Sequence, residues 1–355
     1  MIEADCTKIN FTKTKAHMRL SKLSQKFYFF LLLVLVASLP ATKGFCKKRI
    51  YGPLTGYPDI GYAPWFTGPL LSPTPVNMPP DQPALEPSVI IGSTYGQYDA
   101  NWKFKSGTNT FFINPSVDFQ FGFTERTGLE IFAPLISNFK NGVSSTKLQD
   151  IALLLGFQIA TDIRGSWVPD IRIDLQEVFP AGSYQKLSPE KLGTDLTGYG
   201  SYQTGPLLVI NKTFYSGDHP LAIKASIAYL FPSNVHVKGL NTYGGGFGTN
   251  GTVHPGQTLT MFLSFEHAIT KKWGWGFDSL YIWQTRSTFS GSPGITADGN
   301  VASMGQPSLA QFSLAPYVEY TFTSQLGVVG GAWCTLGGRN ADAFASGYFA
   351  FLYIF

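Results

Sequence analysis

Residues able to do chemistry are thinly spread along this chain. His219, His236, His254 and His267 are dispersed, and none forms the i, i+4 pair of a His-Glu-x-x-His zinc helix. No serine carries the glycine frame of a nucleophile elbow, and no Ser–His pair stands out. The stretch YGGGFGTNG, residues 243–251, is rich in glycine but lacks the Lys-Ser/Thr of a phosphate loop, so it reads as a flexible surface loop. The sequons at 211–213 (NKT) and 250–252 (NGT) are short enough to arise by chance. Cys6, Cys46 and Cys334 are too few and too scattered for a disulfide scaffold. The reading is therefore of a protein that is not an enzyme, with no catalytic residue, metal or cofactor.

What remains is a set of ionisable residues on the polar side of alternating segments. Asp118, Glu130, Asp150, Asp174, Glu266, Asp278 and Glu319 stand against only Arg172 and Lys224. Such charges, brought into one confined interior, tend to pair. Ladders of carboxylates with Arg172 and Lys224 are the first expectation, and a role in selectivity the second. The surplus of acids predicts an electronegative interior that favours cations and neutral solutes.

The elements that must position these residues are strands. Ile151, Leu153, Leu155, Phe157 and Ile159 alternate with Asp150, Gly156 and Gln158, and Leu259, Met261, Leu263 and Phe265 with Thr260, Ser264 and Glu266. About twelve such segments follow one another, near 86–98, 110–123, 128–137, 148–160, 170–179, 200–213, 220–231, 258–269, 272–284, 309–322, 325–336 and 346–355. Their apolar faces are rich in aromatics, notably Trp273, Trp275 and Trp283. Only 14% of residues are charged, against about 25% in ordinary soluble chains. The links between segments are sorted, short turns after even-numbered segments and mostly long loops after odd-numbered ones, with 180–199, 232–257 and 285–308 the longest. This pattern predicts an all-β transmembrane antiparallel up-and-down barrel of about 12 strands, with both termini at the short-turn end. Pro115, Pro206 and Pro316 each delete a ladder hydrogen bond and are expected at bulges near the outer rim. Phe132, Phe262, Tyr317 and Trp333 are the inward aromatics.

The N-terminal region differs. Apolar residues 27–39 follow Arg19, Lys22 and Lys26 and precede small residues, which reads as a secretory signal over 1–44, cleaved after Ala41 or Gly44, with Met18 a possible true start. Residues 45–85 are dense in proline and cannot continue a helix or a sheet. They read as a periplasmic linker or as a partial plug of the lumen, with Trp65 and Phe66 as anchors. Residues 86–355 form the barrel. The net charge of +4 supplies no basic stripe for nucleic acid.

The last ten residues, SGYFAFLYIF, put Phe349, Phe351, Tyr353 and Phe355 on one face. This ending is similar to the assembly signal of bacterial outer-membrane barrels, which implies the barrel assembly machinery and outer-membrane lipid as partners, with Phe351, Tyr353 and Phe355 as signal residues. FGFTERTGLEIFAPL (121–135), LQDIALLLGFQI (148–159), FSLAPYVEYTF (312–322) and LGVVGGAWCTLGGRN (326–340) resemble the MetA-pathway of phenol degradation family of outer-membrane barrels. Asp150 is kept, whereas Leu148 and Gln149 replace the glycines expected ahead of it, and the substrate in the family's name is not carried over. The resemblance implies a bacterial outer-membrane channel or transporter, loosely grouped with channels for small hydrophobic molecules, to which the surplus of acids adds a preference for neutral or cationic solutes. The alternative is a barrel that displays its long loops for adhesion or partner binding.

Overall fold

The computed structural model of the protein describes residues 68–215 and 219–355. Among these are sixteen strands: β1 (Ala84–Tyr98), β2 (Phe104–Gly122), β3 (Thr127–Lys140), β4 (Val143–Leu148), β5 (Ile151–Ala160), β6 (Asp170–Phe179), β7 (Gln203–Phe214), β8 (Leu221–Pro232), β9 (Val235–Lys238), β10 (Asn250–His254), β11 (Thr258–Ala268), β12 (Trp273–Gln284), β13 (Thr288–Ser292), β14 (Leu309–Thr321), β15 (Leu326–Arg339) and β16 (Ala341–Ile354). One 3₁₀ turn, Pro189–Lys191, is the only helix among the described residues.

Twelve strands close into an antiparallel barrel in the order β1-β16-β15-β14-β12-β11-β8-β7-β6-β5-β3-β2, with β2 returning to β1. Closure runs from Ala84↔Ile354 to Tyr98↔Ala341, and the Phe355 amide donates to the Pro83 carbonyl at 2.9 Å. A closed wall leaves no strand edge, so backbone groups find their partners without water. Each barrel strand overlaps one of the twelve segments that alternation singled out.

The wall faces are cleanly separated. On the last strand Phe351 is 45% exposed while Leu352 is 8% exposed; on β11 Leu263 is 54% exposed and Ser264 2%. The outer side carries the large apolar residues, and the inner side carries small, polar and charged ones. At the short-turn end the outward aromatics pack in pairs, Trp273 tilted against Tyr320 at 4.6 Å and Tyr353 edge-to-face with Phe355 at 5.0 Å between ring centroids.

The ladder breaks where prolines fall. β2 pairs with β3 at Ile113↔Ser137 and again at Ser116↔Pro134, skipping Pro115. The Asn114 side chain fills the gap, donating to the Leu135 carbonyl at 2.6 Å. Pro206 and Pro316 sit at equivalent skips in β7–β8 and β14–β15. Pro206 is near the long-loop rim, as expected. Pro115 and Pro316 lie well inside their strands, which corrects the expectation for these two. The Asn114 side-chain donor beside Pro115 and the facing Gly331 at Pro316 accommodate the break there, so a rim position is not required.

The long-loop end holds more structure than alternation predicted. β3 continues past β5 into a hairpin with β4 that turns through Asn141 and Gly142, both at positive φ. The links 180–202, 233–257 and 285–308 fold together into a cap. Its three-stranded sheet, in the order β13-β10-β9, buries Val235, Val237, Tyr243 and Val253 with Phe289 and Met304. The glycine-rich stretch belongs to this cap and is not a free loop. Gly244 and Gly245 take positive φ, and Phe247 exchanges backbone hydrogen bonds with Ile295. Close approach of backbones, as at Gly246 against the Ile295 carbonyl, is what the glycines permit.

Candidate functional site

The inner wall meets a second piece of the same chain. Residues 68–83 lie inside the barrel as a belt near the short-turn end, touching strand after strand. Leu70 is buried among Ala315, Tyr317, Val329 and Ala350, beside Trp333 and Tyr348. The Leu71 and Ser72 amides both donate to Asp278 Oδ2, at 2.7 and 3.3 Å. Lys224 Nζ donates to the Pro73 carbonyl at 2.7 Å. Arg172 donates to Thr74 Oγ1 at 2.7 Å and to the Thr74 and Val76 carbonyls at 3.3 and 3.2 Å. Gln158 reaches the Pro75 carbonyl at 3.2 Å, and Asn77 donates to the Arg126 carbonyl at 2.9 Å. Met78 packs against Ala84, Leu352 and Ile354, which completes the circuit.

Local sequence explains why the belt is held this way. Pro73 and Pro75 bar regular pairing, so the carbonyls at 73–76 need donors from outside the segment. The period-two wall supplies them from inward positions of β8, β6 and β5. Glycines give the belt room: a Cβ on Gly156 would stand 2.5 Å from Asn77 Oδ1 and 2.6 Å from Arg172 Nε.

The ionisable residues named from the sequence gather in two groups. Arg172 pairs with Asp174 at 2.6 Å and with Glu130 at 3.5 Å, and its side chain is 3% exposed. Asp118, half-buried, accepts from Gln120 at 2.9 Å. Lys224, Asp278, Glu266 and Glu319 form the second group, all buried on β8, β12, β11 and β14. Glu319 reaches across Gly274 on the neighbouring strand.

Asp150 differs from the rest of the set. It stands at the step between β4 and β5, where it accepts from the Gly182 amide at 2.9 Å and the Tyr199 amide at 2.8 Å. Its structural contacts are with the 180–202 link and not with the belt. With Asn138, which donates to the Thr194 carbonyl at 3.1 Å, it draws that link into the barrel mouth.

Sequence reasoning missed three features. Glu86 faces inward and accepts from the Tyr348 hydroxyl at 3.4 Å; its segment, EPSVIIG, lacks a clean alternation. Lys212 and Asp162 form an ion pair at the short-turn end, where the Thr213 amide also donates to Asp162. A polar cavity of 820 Å³ opens at the mouth between Gln97, Lys105, Asn138, Lys140 and Asp342. At its edge Asp99 is held below the usual carboxylate range by the Asn101 and Lys103 amides. Within the cap, burial pushes the Tyr243 phenol well above the ordinary tyrosine range, which keeps it a donor to the Tyr199 carbonyl at 2.8 Å.

Trp65, Phe66, the signal segment, Cys6 and Cys46 lie outside the described residues. Cys334 is a free thiol. Phe132 and Phe262 are half-buried, whereas Tyr317 and Trp333 border the belt's Leu70. Among the described residues no three His, Cys, Asp or Glu side chains are grouped to hold a metal ion.

No family model matches the sequence, and no curated protein does. Solved structures do match the fold. The COG4313 outer membrane channel from Pseudomonas putida F1 aligns with a TM-score of 0.61 at 12% identity, over 80% of this chain and all of that one. The Pseudomonas putida toluene transporter TodX aligns at 0.35 and 9% identity, over 78% of this chain and 89% of its own. The beta domain of the Bordetella autotransporter BrkA aligns at 0.40 and 11%, over 78% of this chain and all of that one. The alignment with the COG4313 channel shows that the two chains share the closed antiparallel β-barrel fold.

Proposed function

We propose that this protein is an outer-membrane channel for small solutes, not an enzyme, whose lumen is narrowed by the belt of residues 68–83. The observation that carries the reading is the set of charged wall side chains spent on belt backbone: Asp278 on two amides, Lys224 and Arg172 on carbonyls. Charges that a channel wall would otherwise present to solutes are here occupied by the chain itself. The likeness to the COG4313 channel supports a passage function. Outer-membrane lipid against the aromatic faces and recognition of Phe351, Tyr353 and Phe355 by the assembly machinery belong to the same reading. The inward acids outnumber Arg172 and Lys224, so cations and neutral solutes are the favoured cargo.

Removing residues 47–80 tests this directly. Single-channel conductance of the refolded barrel in planar bilayers rises if the belt narrows the passage, with potassium preferred over chloride. Unchanged conductance ends the narrowing by the belt, and no conductance with or without 47–80 ends the channel. One observation favours the loop-display alternative: Phe247 and Val301 on the cap are 84% and 75% exposed and are joined through bridges to Ile295. Excising 243–251 would abolish partner binding with permeation intact if display is the role.

A further inference from the structure

The place where Leu70 sits is shaped as a small-molecule site. Its walls are small residues and aromatics: Ala315 and Ala350 are fully buried, Val329 and Tyr317 nearly so, and Trp333 and Tyr348 close the sides. Gly331 is what admits the side chain, since a Cβ there would lie 3.0 Å from Leu70 Cδ2. Directly beside the slot, Asp278 Oδ2 takes the next two amides of the belt. Tyr317, 4% exposed, lays its phenol over Gly276, two residues from Asp278 on β12, and its hydroxyl has no hydrogen-bond partner among the described residues. Buried polar groups of this kind ordinarily find a partner. The arrangement thus offers a compact apolar slot, a carboxylate acceptor at its lip and a spare hydroxyl.

We propose that this slot is the docking site of the transported solute, and that Leu70 with the Leu71 and Ser72 amides occupies it as an internal substitute until solute displaces them. The solute class is a compact branched apolar group carrying an adjacent amide N–H and no carboxylate. A carboxylate in the same position would face Asp278 and be refused, while a solute without the apolar group would leave the slot unfilled. Displacing Leu70 frees the belt's first anchor, so binding and widening of the lumen are one event. This inference rests on the channel reading above and adds the solute class to it.

The test uses the intact chain in planar bilayers and three probes. Leucinamide reproduces Leu70 and the following amide nitrogen; leucine replaces that nitrogen with a carboxylate oxygen; glycinamide keeps leucinamide's polar groups but lacks the isobutyl body. Leucinamide is expected to raise the frequency of a larger-conductance state by about tenfold or more over either of the other two. Asp278→Asn should erase the preference of leucinamide over leucine. Leu70→Ala should show the larger state with no probe added, and migration on a gel with and without boiling reports that each variant is folded. Equal responses to the three probes in the intact chain, with Leu70→Ala still widening the channel, overturn the docking site and leave the channel standing. A barrel that conducts neither intact nor with 47–80 removed overturns the channel and the docking site together.

Discussion

Arg172 is the residue on which wall and belt depend jointly, and replacing it with methionine separates their contributions. Methionine keeps the apolar stem and most of the volume but removes the guanidinium with its charge and five donors. In the native barrel the guanidinium lies 2.6 Å from Asp174 and 3.5 Å from Glu130, and the two carboxylate side chains are 0% and 13% exposed. Arg172→Met leaves both facing each other with no cation between them. Breaking a buried ion pair from one side costs about 3–5 kcal/mol, because the remaining charge has lost its compensation. The three donations to Thr74 and Val76 go with it, and with them the belt's hold on β6. The expected result is a barrel about 3–5 kcal/mol less stable in urea titrations of folding into lipid vesicles, with higher single-channel conductance. Adding Asp174→Asn to Arg172→Met should recover part of the stability but none of the narrowing. Arg172→Lys should fall between, since an ammonium cannot serve both carboxylates and two carbonyls in the geometry of a planar fork. A loss below about 1 kcal/mol, the range of an exposed pair, together with unchanged conductance would refute the reasoning for wall and belt alike.

Two further substitutions probe the rest of the molecule. Asp150→Ala releases the Gly182 and Tyr199 amides, each held by a charge-assisted bond worth about 1.5–3 kcal/mol. Amide hydrogen exchange across 182–199 should quicken by about tenfold or more while the barrel strands keep their protection; unchanged exchange would mean that the cap holds this link without Asp150. Gly205→Ala sets a methyl against the Tyr229 carbonyl oxygen at the Pro206 step. Overpacking of this kind costs about 1–3 kcal/mol, read as a lower urea midpoint; an unmoved midpoint would show that the step has room to shift.

Some details of the barrel are written in local sequence. Asn141-Gly142 is a strong hairpin signal, and it makes the β3–β4 turn. Asn340 at φ +50° turns β15 tightly into β16, where a longer link was expected. These tight turns follow local rules and lengthen β3, β15 and β16 beyond the alternating segments. Asp150 is a different case. Its position on an alternating segment points it inward, yet the break at Gln149 and the return of 182–199 decide what it touches. Nothing in the neighbouring residues carries that information.

The division has a physical cause. A strand that faces lipid on one side and a polar interior on the other must alternate at period two, and a strand end with unpaired groups is not tolerated in hydrocarbon. Twelve strands, their inner and outer faces and the closure of Phe355's strand on the first therefore follow from residue order alone. The belt obeys no period. Its prolines leave carbonyls to be satisfied by whichever donors the curved wall brings near, and Asp278, Lys224 and Arg172, 54 and 52 residues apart in the chain, line one interior only when the sheet curls around the belt. Which charges meet, and around what, is decided by the cylinder.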